Sequence, residues 1–443
     1  MKRRYLISLL LTALIAFAPS GTRYIFYTGK ILDHSVEPGT VSIFGMQIVA
    51  LLFVSLVFFT YGWRGFLETF KSRAAMCAAI VAVFAALSAM QASDALAGVV
   101  AASSVLLGVA VYFAISMFRP DPREVLTAFV GGAVFQVALG GYQFFTQSAF
   151  ASKWLGMAMH SADQLGAFVV ETDSGRWLRA YGSLSHPNIF GLYVGVGLLT
   201  CIGLAAFRGH GKHLVYYALM PIITMGLLFS FSRSALLAVA AGFVWMTISA
   251  FGSEAAPTFR RIMIPAFMIT TVTFSVIGYL YAEPLRTRST AIGRLETQSI
   301  QQRGSQYEDA LALFARHTFT GVGVGQMPIA LARESATERD WWLYDYVHNV
   351  PALIAVETGV LGLVAWLGFV WFTIDIIRRR LLHHKATVST GVTVYAAAFI
   401  ALLIAAMFDH FLWSSWFGQL LFWSIAGLLR AAFFHFETVE NKR

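Results

Sequence analysis

Twelve apolar segments alternate with polar connections along this chain, and most have the length of a membrane-spanning helix. A helix needs about 20 mainly apolar residues to cross a bilayer. The segments cover approximately residues 5–19, 41–62, 74–91, 95–118, 124–146, 188–207, 214–231, 234–251, 262–282, 349–376, 389–408 and 414–434. The pattern predicts an all-α integral membrane protein with about twelve transmembrane helices, organised as one polytopic domain over residues 1–443.

Basic residues occur in every second connection, and this alternation predicts the orientation of the chain. They are Lys2, Arg3 and Arg4, then Arg64, Lys71, Arg73, Arg119, Arg123, Arg208, Lys212, Arg260, Arg261, Arg378, Arg379, Arg380 and Lys385. Under the positive-inside rule both termini are cytoplasmic, and residues 147–187 and 283–347 form two long outer loops. Ala16-Phe17-Ala18 also fits a signal-peptide cleavage site. We favour a retained first helix, and cleavage would leave the later orientation unchanged.

Composition supports a membrane protein and argues against two other classes. Only 12% of the residues are charged and the mean hydropathy is +0.67, whereas soluble domains carry roughly 25% charged residues. The net charge of +9 lies in short clusters between apolar segments, so nucleic-acid binding is not expected. Cys77 and Cys201 both lie inside apolar runs, so no disulfide or zinc framework is expected either.

The second outer loop, residues 283–347, contains seven arginines and no lysine. A guanidinium group binds phosphate oxygens through a planar fork of donors, so this balance favours a phosphorylated ligand. Eight carboxylates in the same stretch leave a merely solvated loop open. Tyr307, Ala310, Leu311 and Phe314 recur at helical spacing and predict an amphipathic helix at the membrane interface. The glycine-rich run 321–325 predicts a tight turn.

Two arginines are candidates for contact with such a ligand. Arg233, in Ser230-Phe-Ser-Arg-Ser234, lies at the outer end of the seventh segment, where a charge at membrane depth needs a partner or a cavity. Snorkelling to lipid phosphates is the alternative. Arg303 lies just before the predicted interfacial helix, and a solvated loop arginine is its alternative.

Histidines and acidic residues at the same side of the membrane are candidates for proton transfer. His348 lies where the second outer loop enters the tenth segment, and an imidazole can take a proton from a hydroxyl near neutral pH. A packed histidine is the alternative. Asp409-His410 ends the eleventh segment, where an ionisable pair could orient a base or pair with an arginine. His186 and Asn188 open the sixth segment, where a capped helix start is as good an explanation as a ligand role.

Four blocks, which contain His186, Asn188, Arg233 and His348, resemble the O-antigen ligase and Wzy-type polymerase superfamily. They are Gly182-Ser-Leu-Ser-His-Pro-Asn-Ile-Phe-Gly191, Phe229-Ser-Phe-Ser-Arg-Ser-Ala-Leu-Leu237, Gly321-Val-Gly-Val-Gly-Gln326, and His348-Asn349 followed by Glu357-Thr-Gly-Val-Leu-Gly362. The resemblance implies a membrane glycosyltransferase of the C class in the bacterial inner membrane. It further implies an undecaprenyl-diphosphate-linked glycan donor, a lipid A-core or other glycan acceptor, and neither a cofactor nor a required metal.

The resemblance also implies roles for individual residues. Arg233 and Arg303 match the diphosphate-binding arginines of the superfamily, and His348 matches its essential histidine. Asp409 corresponds to its late acidic position. His186, Asn188, Asp409 and Arg179 are expected to support the site.

We therefore expect an inverting, O-antigen ligase-like transferase that acts on the outer face of the inner membrane. A Wzy-type polymerase, which joins repeat units, fits the same motifs. A metal-dependent transferase that uses Asp33, His34 and Glu37 is a further alternative. A transporter of lipid-linked glycans fits less well, because the candidate residues gather at the interface and not at the bilayer midplane.

Overall fold

The structure is a computed structural model, and it describes residues 2–207, 213–251, 257–290, 294–335, 337–382 and 390–440. Three of the basic residues that the sequence places on the cytoplasmic side, Arg208, Lys212 and Lys385, lie outside the described residues.

Helices make up most of the described chain. In chain order they are α1 (Lys2–Ala16), α2 (Gly45–Phe70), α3 (Arg73–Ser88), α4 (Ala95–Phe118), α5 (Pro122–Thr146), α6 (Pro187–Phe207), α7 (His213–Phe229), α8 (Arg233–Phe251), α9 (Pro257–Leu280), α10 (Ala282–Thr290), α11 (Arg294–Arg316), α12 (Met327–Glu334), α13 (Val350–Leu382), α14 (Thr390–Ala406), α15 (Phe411–Ser414) and α16 (Trp416–Glu440). Short 3-10 helices cover Ala89–Gln91 and Trp341–Leu343.

Nine helices within the described ranges are long and apolar enough to cross a membrane. Two more apolar stretches, Leu214–Phe229 and Thr390–Ala406, are shorter. Each of these eleven, and α1, overlaps one of the twelve segments that the sequence predicts. The all-α membrane fold is therefore confirmed, while the exact number of spans stays a prediction.

Helix α6 lies at the centre of the bundle, with 94% of its most apolar window buried. It packs against α5, α7, α8 and α14. Small residues allow this close approach: a Cβ on Gly195 of α6 would lie 2.3 Å from Val239 of α8. Close packing of small residues is how membrane helices associate where lipid supplies no hydrophobic driving force. The end of α6 at Pro187 is consequently held in a fixed position.

The glycine-rich turn 321–325 packs against a break in α13. Gly359 has φ +72°, and the break exposes backbone groups that the turn satisfies: Val322 N donates to Val356 O at 2.9 Å, and Gly323 N donates to Glu357 O at 3.0 Å. Gly321 has φ +67°, and a Cβ there would lie 2.3 Å from the Glu357 backbone. The tight turn that the sequence predicts is thus present, and it ties the second outer loop to the bundle.

Short antiparallel hairpins in the connections were not foreseen. The largest pairs β1 (Arg23–Ile31) with β2 (His34–Phe44). The others pair β3 (Ser148–Ala149) with β4 (His160–Ser161), and β5 (Val169–Thr172) with β6 (Gly175–Leu178). The second apolar segment, predicted from residue 41, therefore begins as strand and becomes helix only at Gly45.

Helix α11 is longer than the predicted interfacial helix, and it contains Arg303. The sequence prediction placed Arg303 before the helix because apolar periodicity begins only at Tyr307. The preceding residues are rich in Gln, Glu and Arg, which are good helix formers, so the helix extends back to Arg294.

The predicted orientation can be tested by cysteine labelling. In a Cys77→Ala, Cys201→Ala background, Ser305→Cys on α11 should react with a membrane-impermeant maleimide in cells whose inner membrane is intact, because the Ser305 side chain is exposed and its loop is predicted to lie outside. Lys71→Cys, in a predicted cytoplasmic connection, is the matched control and should react only after permeabilisation. The reverse pattern would place α11 in the cytoplasm and would remove the basis for an extracytoplasmic site.

Candidate active site

Three guanidinium groups line a cavity of about 220 Å³ at the start of α8. The lining residues are Asn188, Arg233, Ser234, Leu237, Arg288, Arg303 and Phe408. No carboxylate is among the described residues that line it. Arg233 is the first residue of α8, so the positive end of the helix dipole lies at the same place. We call this space the arginine cavity, and its chemistry suits a phosphate group.

The turn that precedes α8 is fixed by hydrogen bonds from two arginines. Phe231 adopts a left-handed conformation with φ +48°. Arg288 Nε donates to Phe231 O at 3.2 Å, and Arg179 Nε donates to Ser230 O at 2.8 Å. Ser232 Oγ accepts from Ala235 N at 3.3 Å, which caps the helix. These hydrogen bonds therefore fix the position of the Arg233 backbone.

A buried chain of hydrogen bonds continues from this turn to the start of α6 and the end of α14. Arg179 is only 3% exposed, and its Nη2 donates to Asn188 Oδ1 at 2.7 Å. Asn188 Nδ2 donates to Asp409 Oδ2 at 3.0 Å, and Asn188 N donates to His186 Nδ1 at 2.9 Å. His186 thus caps the start of α6, as one of its two sequence interpretations proposed. Arg179 lines neither of the two cavities described here and acts as a support.

A second cavity, of about 500 Å³, lies on the other side of this chain. His186, His348, Asp409 and His410 contribute to its wall. The sequence prediction placed His348 in the same cavity as Arg233 and Arg303. In the structure His348 lines the neighbouring cavity instead. Asn188 lines the first cavity and its partner Asp409 lines the second, so the two meet at the Asn188–Asp409 hydrogen bond. We call the second space the histidine cavity.

Helix α11 connects the two cavities. Arg303 lines the arginine cavity, and Gln306, three residues later, lies next to His348. Gln306 Oε1 is 2.8 Å from His348 Nδ1. With the amide oxygen as acceptor, Nδ1 carries the proton and Nε2 has a free lone pair. The ring of His410 is nearly perpendicular to that of His348, with 5.0 Å between the ring centroids.

Burial controls the protonation of these groups, which lie in loops outside the spanning helices. Burial lowers the pKa of His348 to about 4, helped by His410 and Arg303 and opposed by Asp409 and Asp345. Burial likewise lowers the pKa of His186 to about 3. Burial acts to raise the pKa of Asp409, but the neighbouring imidazoles and the bond from Asn188 outweigh it and leave the pKa below its usual value. At neutral pH the site thus holds a neutral imidazole beside a carboxylate.

The histidine cavity could also hold a metal ion. His348, Asp409 and His410 each present a ligand atom within 4.8 Å of the others, and two histidines with one carboxylate suit several divalent metals. Asp33, His34 and Glu37, the alternative metal site from the sequence, form no such group among the described residues. Glu37 accepts from Arg23 Nη2 at 2.8 Å, and the ring of His34 stacks on Trp341.

Five of the seven arginines of the second outer loop fall into two groups. Three pair with carboxylates away from the arginine cavity: Arg294 with Glu171 at 3.1 Å, Arg316 with Glu334 at 3.4 Å, and Arg339 with Asp309 at 2.8 Å. Arg288 and Arg303 line the cavity instead. The sequence analysis proposed phosphate binding for the arginines of the whole loop. Among those that line the arginine cavity, this proposal now applies to Arg288 and Arg303. Arg288 and Gln306 were not singled out from the sequence, because nothing in the local pattern distinguishes them from their polar neighbours.

Removal of the central amide should destabilise the site. Asn188→Ala leaves a buried guanidinium and a buried carboxylate without their shared partner, and the loss should be about 2–4 kcal/mol of unfolding free energy. Thermal unfolding of the purified protein in detergent would measure it as a lower Tm. Ser305→Ala, at an exposed position of α11, is the control and should leave Tm unchanged. Equal Tm values for both variants would show that the chain of hydrogen bonds does not hold the site together.

Comparison with known proteins agrees with this part of the chain. Residues 218–367 match the O-antigen ligase family, a stretch that contains Arg233, Arg288, Arg303 and His348. No curated protein matches the chain. This match confirms the resemblance to the O-antigen ligase family, and it covers three of the four sequence blocks, all but Gly182–Gly191.

Proposed function

We propose that this protein transfers a glycan from undecaprenyl diphosphate to an acceptor hydroxyl on the outer face of the bacterial inner membrane, as an O-antigen ligase-like glycosyltransferase. One observation carries the proposal: Arg233, Arg288 and Arg303 surround a single cavity, and His348 lies next to it across α11. The family match supports a ligase or polymerase in general terms. The donor, the acceptor and the choice between ligase and polymerase belong to the proposal.

The arginine cavity would hold the diphosphate of the donor. Three guanidinium groups and the N-terminus of α8 can bind several oxygens of a diphosphate at once. Since the leaving group departs with its negative charge, donors that are already in place stabilise it without reorganisation. The turn that Arg179 and Arg288 fix keeps Arg233 in position for this task.

His348 would act as the general base. Its Nδ1 proton points to Gln306, so Nε2 is the atom that takes a proton from the acceptor. The acceptor oxygen bonds to the anomeric carbon while the bond from that carbon to the diphosphate oxygen breaks. The hydroxyl proton passes to Nε2, and undecaprenyl diphosphate leaves with the electron pair. A single displacement of this kind inverts the anomeric configuration. The carboxylate of Asp409 would then stabilise the imidazolium.

The bidentate role of Arg303 can be tested by a conservative change. Arg303→Lys keeps the charge but loses the planar fork, so kcat/KM should fall by about 10²-fold. Arg316→Lys is the matched control, because Arg316 lies on the same helix but pairs with Glu334. It should retain nearly normal activity. If both variants remain active, Arg303 does not bind the donor.

The base role of His348 predicts loss of turnover with donor binding retained. His348→Ala should lower kcat by about 10²- to 10⁴-fold while the Kd for the donor changes little. Because burial lowers the pKa of His348, the wild-type rate should stay level from pH 8 to about pH 6 and fall only under more acidic conditions, where the imidazole becomes protonated. His317→Ala, in the same loop, is the control. A variant that fails to fold would identify a packing histidine, and full inhibition of the wild type by a chelator would indicate a metal at this cluster.

Ligase and polymerase activity differ in what the donor does alone. Purified enzyme with a lipid-linked oligosaccharide and no acceptor should give little product, and addition of lipid A-core should give a single mass increment on that acceptor. Mass spectrometry of the products would measure this. A ladder of products from donor alone would show a polymerase and leave the roles of Arg233, Arg303 and His348 unchanged. No transfer under either condition would contradict the proposed function.

A further inference from the structure

The two cavities differ in charge, and this difference indicates which ligands each cavity can bind. The arginine cavity carries three guanidinium groups and no carboxylate among the described residues. The histidine cavity carries three carboxylates, those of Glu37, Asp345 and Asp409, and one guanidinium, that of Arg23. Arg23 is bound in a bidentate pair with Glu37, so Asp345 and Asp409 remain without such a cationic partner among the described residues. A phosphorylated group would be attracted to the first space and repelled from the second.

We infer that the histidine cavity binds the acceptor through an uncharged sugar end, and that it discriminates against a phosphorylated one. The identification of the bound sugar as the acceptor rests on the proposed function. The preference for an uncharged sugar rests on the residues that line the cavity. At about 500 Å³ the space lies within the roughly 300–1,000 Å³ range of small-molecule sites, which is large enough for a short oligosaccharide.

The wall of the cavity carries the groups that a neutral sugar needs. Asp345 and Asp409 can accept hydrogen bonds from sugar hydroxyls, and Phe168 and Tyr346 supply aromatic surface. Trp416 is 5% exposed and lines the cavity, and its indole N–H makes no hydrogen bond with the described residues. A buried donor without a partner is destabilising, and a hydrogen bond to a ligand oxygen would offset this cost.

The hairpin β1–β2 closes one side of this space. Residues of both strands, including Arg23, Glu37 and Ser42, line the cavity. The hairpin is fixed to the second outer loop, because the ring of His34 stacks on Trp341 with 5.1 Å between the centroids. An acceptor in this cavity therefore meets a preformed wall, and its hydroxyl can reach His348, which lines the same cavity.

Photolabelling of the full-length protein in nanodiscs would test the inference without any turnover. A diazirine derivative of methyl β-lactoside should label peptides that contain Tyr346 or Trp416, and inorganic pyrophosphate should not reduce this labelling. Lactose 1-phosphate should compete at least about tenfold less well than methyl β-lactoside, because like charges face each other. Asp345→Asn should narrow that gap, whereas Glu338→Gln, an exposed change in the same loop, should not. Trp416→Phe keeps an aromatic ring but removes the indole N–H donor, and it should weaken labelling several-fold.

Several outcomes would overturn the inference. They are an absence of labelling at these peptides, loss of labelling with pyrophosphate, and equal competition by the neutral and the phosphorylated sugar. Since labelling needs no catalysis, an inactive protein that shows the expected pattern would contradict the proposed function alone. An active enzyme without the pattern would contradict the inference alone.

Discussion

The buried chain Arg179–Asn188–Asp409 is the constraint on which the rest of the site depends. A guanidinium and a carboxylate inside an apolar bundle are tolerated only when both are hydrogen-bonded, and here one amide serves both. Arg179 also holds the turn from which Arg233 projects, and Asp409 lies beside His348. The same few bonds therefore fix the positions of a phosphate-type cavity and of a candidate base. Helix α6, which is almost entirely buried, supplies the rigid support at its Pro187 end.

Positive and negative side chains of the site line different cavities. The three arginines face one space, and the carboxylates face the other, with α11 and the Asn188–Asp409 bond between them. Placement of the carboxylates beside the arginines would neutralise the groups that a diphosphate needs. Burial keeps His348 neutral, so it can take a proton, and Gln306 fixes which nitrogen does so. In the proposed reaction the uncharged nucleophile attacks the anomeric carbon from one side, and the charged diphosphate leaves it on the other.

The sequence predicted the helices well because lipid leaves few alternatives to a helix for an apolar segment. The segment predicted at 95–118 is α4, and the one at 234–251 is α8 within one residue. The hairpin β1–β2 was missed because its exposed aromatic residues have no helical or buried period. Arg233 and His348 were identified through motifs and Arg303 through the arginine-rich loop, but their division between two cavities depends on where α11 packs. Gln306 and Arg288 matter only through that tertiary placement, which no local pattern reveals.

The most direct test of the account is a cryo-EM structure with a non-transferable lipid-linked diphosphate bound. We expect the two phosphates to lie in the arginine cavity within hydrogen-bond reach of Arg233 and Arg303. We also expect the anomeric carbon to face His348 across the Asn188–Asp409 bond. A diphosphate held in the histidine cavity, or at a surface patch remote from both arginines, would contradict it.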